Sequence, residues 1–243
     1  GKFNFFFQKR RKKIPAIFLP YYLLAEIMRS PIYDELLEMK KLQEGCPVMI
    51  AKIHPQIMKE LDIWVNESKK IRDSPCAELK SHENVGYLAV DGKKHNSYQC
   101  SISPHLIEQS FWLAWVLRLT QKYWGMGRGS RKFRIRKWDG HFDGYDIWTN
   151  FSYKGNDNPP HTHRGHVSGV IYYKNHDHPT IFPDYNVAYA GTPGTMVMFP
   201  SQSTIHQVEK QTSSKERITL AFNVEASGMT WLENKELQEV SDF

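Results

Sequence analysis

Arg217-Ile218-Thr219-Leu220-Ala221-Phe222-Asn223 alternates two kinds of residue with a period of two. In an extended chain Ile218, Leu220 and Phe222 share one face, and Arg217, Thr219, Ala221 and Asn223 share the other. If the apolar set packs into the core of a sandwich, the second set lines a cavity. A guanidinium turned into a cavity has lost water and needs compensation. A carboxylate ligand supplies it, because the guanidinium fork matches a carboxylate through two parallel hydrogen bonds. An ion pair with a neighbour such as Glu209 or Glu216 would satisfy Arg217 equally well.

Working outward from this strand, the second half of the chain is dense in short extended segments. They are expected over 132–138, 145–153, 167–174, 180–182, 195–199, 206–209 and 217–224, with Gly, Pro, Asn and Asp between them. That pattern points to a barrel or sandwich. The first half reads differently. A short helix is expected over 32–43 and a strand over 48–53. A helix opened by Pro55 follows, with Ile57, Leu61, Trp64 and Val65 on one face. Residues 72–100 read as loop and short strand. Ser103-Pro104 then opens one long helix to about Trp124, apolar around most of its circumference and closed by Gly125, Gly127 and Gly129. The fold class expected is α+β, with the helices covering one face of the β unit. Its parts would be a basic arm and short helix (1–46), a supporting region (47–130), the β core (131–226) and a tail (227–243).

Composition sets broad bounds. The 243 residues are 40% hydrophobic and 13% aromatic, enough for one sizeable core. No apolar run approaches the ~20 residues of a membrane span, and residues 3–7 are too few for a signal-peptide core. Three cysteines, Cys46, Cys76 and Cys100, form no CxxC pair, so no disulfide framework is expected and a reducing cytoplasm is the expected compartment. The net charge of +6 includes basic clusters at 9–13 and 128–137. They read as solvated surface, or as contacts to an acidic partner such as nucleic acid. The glycine-rich stretch 125–129 follows a helix rather than a strand, which argues against a phosphate loop. No GxSxG nucleophile motif occurs.

Five of the eleven histidines lie between 161 and 178. His161 and His163 are two apart, so an extended chain turns both to one side, and Pro159-Pro160 favours extension there. An HxH pair alone is weak, since surface histidines cluster by chance. His206, in a later strand, is the third member, with Arg217 eleven positions beyond it and Thr219 two further on. His166 follows Gly165 in an expected turn, and His176 and His178 read as loop histidines.

The ordered series Trp148-Thr149-Asn150, Lys154-Gly155, His161-Thr162-His163, Ser168-Gly169-Val170-Ile171-Tyr172-Tyr173, Gly194 before Met196-Val197-Met198-Phe199-Pro200, His206-Gln207-Val208, and 217–223 resembles the 2-oxoglutarate/iron(II)-dependent oxygenases. It is most similar to their bacterial and phage branch. The resemblance covers about residues 145–225 and implies a double-stranded β-helix, the jelly-roll-like fold. It further implies Fe(II) on His161 and His206, and Arg217 on the far carboxylate of 2-oxoglutarate with Thr219 assisting. Asn150, Asn223 and Tyr173, from the same segments, join them as candidate cofactor contacts. Trp138, Trp148 and Tyr153 are candidates for a substrate groove. O2 and an unidentified substrate would be the reactants, with ascorbate as a possible reductant.

One position departs from the family pattern. Where most of these enzymes have Asp or Glu two residues after the first histidine, this chain has His163. His163 is then a third ligand, or a carboxylate such as Asp157 or Asp184 completes the set, or His163 only hydrogen-bonds to a ligand. Two rival functions stay open. One is a cupin-like three-histidine dioxygenase that uses no keto acid. The other is a non-enzymatic β-sandwich, such as a phage structural or attachment protein with a metal site.

Overall fold

The computed structural model describes residues 37–74, 97–125, 133–137, 144–174 and 178–226. The chain enters through β1 (Met39–Lys41) and β2 (Met49–Lys52), which pair antiparallel. Helix α1 (Pro55–Arg72) follows, then β3 (Tyr98–Ser101), α2 (Pro104–Glu108) and α3 (Phe111–Trp124). The β half comprises β4 (Phe133–Ile135), β5 (Ile147–Ser152), β6 (Asn158–His161), β7 (Val167–Lys174), β8 (Thr180–Phe182), β9 (Val187–Tyr189), β10 (Thr195–Pro200), β11 (His206–Val208) and β12 (Arg217–Ala226).

These strands form two sheets. The larger runs β1-β2-β10-β7-β12-β5-β3, with β4 also on β12, and the smaller runs β6-β11-β8-β9. This is an α+β molecule whose β part is a double-stranded β-helix. β12 sits centrally, between β7 and β5, and its alternation sorts the layers as its sequence suggests. Ile218, Leu220, Phe222 and Val224 enter the main core with Ile57, Leu61, Trp64, Trp112 and Trp115 of the helices. Trp112 meets Trp64 and Phe222 edge to face, with centroids 5.4 and 5.0 Å apart. Such aromatic pairs contribute about 0.5–1.5 kcal/mol each beyond their buried area. A second, smaller cluster, with Val48, Tyr172, Phe182, Val197 and Phe199, joins the larger sheet to the smaller.

Three local expectations are corrected. Residues 39–41 are a strand rather than part of a helix, because pairing with β2 supplies backbone partners that a local pattern does not reveal; residues 32–36 of that expectation lie outside the described residues. The long helix is two helices. Ser110 breaks it: its hydroxyl donates to Ile107 O and accepts from Leu113 N, capping α3 anew. Glu60 of α1 completes that cap by accepting from the Phe111 and Trp112 amides at 2.9 and 3.0 Å. Finally, the extended stretch expected to carry both His161 and His163 holds only the first: His161 closes β6, and His163 lies beyond it. Among the described residues no helix is long and apolar enough to cross a membrane.

Candidate metal centre

β6 is Asn158-Pro159-Pro160-His161, an edge strand of the smaller sheet, as its prolines require. Its last residue, His161, is the antiparallel partner of His206 at the start of β11. Their ring centroids are 4.2 Å apart. Past the strand, the His163 amide donates to Ser201 O at 3.0 Å. Its ring lies 4.8 Å from that of His161 and 5.0 Å from that of His206. One ring nitrogen from each histidine lies within 4.8 Å of the other two, and this is the only such group of three or more potential ligands among the described residues.

The chemistry of the three rings suits a metal. His161 Nδ1 sits 2.7 Å from Pro159 O, and His206 Nδ1 sits 3.3 Å from Thr204 O. A carbonyl only accepts, so each Nδ1 carries the proton and each Nε2 keeps its lone pair. Burial lowers the pKa of His161, against the Pro159 bond. Burial, then repulsion from His206 and His161 and the charge of Arg136, holds His163 well below the usual histidine range. Burial and repulsion from His161 bring His206 to about 3. Three neutral imidazoles are three nitrogen donors, a set suited to Fe(II) and to other first-row divalent ions.

The facing wall comes from the larger sheet. Arg217, Thr219 and Ala221 of β12 line the cavity, with Trp148, Asn150 and Ser152 of β5. Arg217 is 4% exposed. Burial depresses its pKa, and Tyr172, whose ring centroid lies 6.0 Å away, opposes this. A guanidinium nonetheless stays charged in proteins. Glu216 is held by Arg72 at 2.6 Å, by the Tyr153 hydroxyl at 2.9 Å and by Lys174 at 3.6 Å, and Glu209 is exposed. Further along the same wall, Trp148 Nε1 donates to Asn150 Oδ1 at 3.0 Å. That turns the amide nitrogen of Asn150 toward Thr219 Oγ1, 3.4 Å away. The indole ring of Trp148 also lies 5.9 Å from that of His163.

Other candidates are placed elsewhere. Tyr173 points to the helix layer and donates to Asp62 at 2.7 Å. Tyr172, its neighbour, takes the cavity side, with its hydroxyl on Thr180 Oγ1. Asn223 is buried past the cavity, bonded to Ser168 and Asp146. Asp157 lines the cavity, Asp184 is exposed, and neither joins the three-histidine group. His166 accepts from the Ala226 amide and His178 from the Thr212 amide, so both serve the backbone. Tyr153 stands at the surface with Arg72 and Glu216, while Trp138 and His176 lie outside the described residues.

The sequence matches no family profile and no curated protein. Solved structures do match. A prolyl-4-hydroxylase of Pseudomonas putida is 17% identical, with a TM-score of 0.50 over 83% of this chain and 98% of that one. An oxidoreductase of the 2OG-Fe(II) oxygenase family from Burkholderia pseudomallei is 14% identical, with a TM-score of 0.52 over 81% of this chain and 92% of that one. At such identities the likeness is one of fold. The chain thus has the double-stranded β-helix fold found in 2-oxoglutarate/Fe(II) oxygenases.

Proposed function

We propose that the protein is an Fe(II)- and 2-oxoglutarate-dependent oxygenase that hydroxylates a substrate and releases succinate and CO2. One observation carries this reading: three imidazoles and Arg217 with Thr219 line the same cavity from opposite walls. His161, His163 and His206 would hold the iron. Arg217 would take the far carboxylate of 2-oxoglutarate bidentately. Thr219 accepts from the Asn150 amide, which leaves its own proton free to donate to that carboxylate. When bound, iron and the keto acid supply the oxidising power, converting O2 and 2-oxoglutarate into an oxidised substrate, succinate and CO2.

The residues of the chain supply position, charge and exclusion of water. Three neutral ligands leave the full charge of a divalent ion in the cavity, and a dianionic keto acid complements it more closely than it would a site already carrying a carboxylate. Trp148 beside His163 offers an aromatic wall for substrate. No general base is required of the protein.

The all-histidine set favours a second reading, a three-histidine dioxygenase without keto acid; the buried Arg217 opposes it. Succinate formation separates the two. Protein purified without oxygen, loaded with Fe(II) and then given O2 and 2-oxoglutarate should release succinate slowly even without substrate, and Arg217→Ala should abolish this. Iron binding with no dependence on keto acid would favour the second reading. No iron binding would sink both.

A further inference from the structure

His161 and His206 are fixed by strand register, whereas His163 lies outside any strand. We propose that Asp146, Asn223, Ser168 and Ser201 form a buried brace that sets the position of His163, with Ser168 as its central positioning residue. This rests on the metal reading above and adds to it a role for side chains that do not line the cavity.

The brace is continuous. Asn223 Nδ2 donates to Asp146 Oδ2 at 2.8 Å, which fixes the amide with Oδ1 toward Ser168. Ser168 Oγ donates to that Oδ1 at 2.5 Å and lies 2.9 Å from Ser201 Oγ. The Ser201 carbonyl accepts from the His163 amide, and the Ser201 amide donates to His166 O at 3.1 Å. The His166 amide in turn donates to Val224 O at 2.8 Å. Residues 163–166 are therefore pinned at both ends. Between the pins, Gly165 has φ 115°, and a Cβ there would lie 3.0 Å from Val224 O and 3.5 Å from Ser201 Oγ, so the turn is pressed onto the brace. Arg136 holds the far end through Asp146 at 3.0 Å.

All four side chains are buried. A buried polar chain is costly unless every member is satisfied, and apolar residues of similar size would serve stability as well. What the chain provides instead is orientation. A metal ligand left to a flexible turn loses the tolerance of about 0.5 Å that a coordination site needs.

The test uses Co(II), whose visible absorption reports ligand geometry, on the full-length protein. Ser168→Ala and Ser201→Ala are compared with Ser68→Ala. Ser68 also loses a buried hydroxyl bond, to Thr149 at 3.0 Å, but on the helix-facing side of β5, with no hydrogen bond to the residues that pin 163–166. The brace predicts Co(II) binding weakened about 10-fold or more in Ser168→Ala and Ser201→Ala, with altered visible bands. Ser68→Ala should lower Tm comparably and keep the wild-type spectrum and affinity. Wild-type Co(II) binding in Ser168→Ala and Ser201→Ala would overturn the brace alone. Absence of Co(II) binding by the wild type would overturn the metal reading and the brace with it.

Discussion

Phe222 packs its ring directly onto Gly169, its cross-strand partner, so closely that a Cβ at 169 would lie 2.2 Å from the Phe222 Cζ. Trp112 holds the other side of that ring at 5.0 Å, which denies it room to retreat. The Ser-Gly-Val segment thus needs glycine for packing, not for catalysis. Gly169→Ala should destabilise by about 1–3 kcal/mol through overpacking, seen as a lower urea midpoint. Co(II) affinity should persist below the transition. An unchanged midpoint would mean that the ring has space that the structure does not show.

Arg217→Lys keeps the charge and loses the planar fork. Lysine offers a point charge on a flexible stem, so two-point capture of a carboxylate is lost. The KM for 2-oxoglutarate should rise about 10-fold or more, as loss of a charged hydrogen bond worth ~1.5–3 kcal/mol implies. Co(II) affinity should hold. Steady-state succinate release at varied keto acid checks the first and a metal titration checks the second. An equal KM would remove Arg217 from the keto-acid site.

The metal-free protein should weaken in mild acid. Burial keeps the three imidazoles neutral when folded, aided at His163 and His206 by repulsion from neighbouring histidines, with His206 at about 3, while an unfolded chain protonates them near ~6.5. Below that pH the unfolded state binds protons that the folded state refuses. Stability is therefore full above ~6.5 and falls toward the folded values, by up to ~1.4 kcal/mol per pH unit for each histidine. Urea unfolding in chelator at several pH values between 7.5 and 5 measures the slope. His206→Gln should flatten it, and parallel slopes would argue against a neutral cluster.

Arg72 should prove to be a clasp for the start of β12. It donates to Glu216 and to the Tyr153 hydroxyl, and its guanidinium lies 4.5 Å from the Phe151 ring centroid. A double-mutant cycle with Arg72→Ala and Glu216→Gln should give a coupling of about 1 kcal/mol, the upper end for partly exposed pairs. Zero coupling would make the pair incidental.

Much of this molecule was legible in local pattern. Alternation in 217–223 sorted core from cavity because β12 is buried on both faces and its two sets differ in polarity. The family resemblance carried by His161, His163, His206, Arg217 and Thr219 implied one site, and all five line one cavity. Tyr173 was the harder choice, since two adjacent tyrosines offer either face. Only the parity of Ser168, Val170 and Tyr172 against Gly169, Ile171 and Tyr173 indicates which one turns inward. The strand at 39–41 was not legible, because its partner β2 is a tertiary contact. The brace was hidden too, since Asp146 and Ser201 meet Asn223 and Ser168 only after the sheets assemble.

Pro159 and Pro160 stiffen the strand that ends in His161, and, being adjacent, they take one amide donor from each side of it, so the outer edge of β6 also lacks a donor. An exposed edge ordinarily invites another chain to add itself and propagate. Here the edge beside the histidine cluster should be a poor template. The same prolines that position His161 should therefore disfavour edge-to-edge association at the rim of the cavity, and copies of this protein crowded together in a concentrated solution should keep it open.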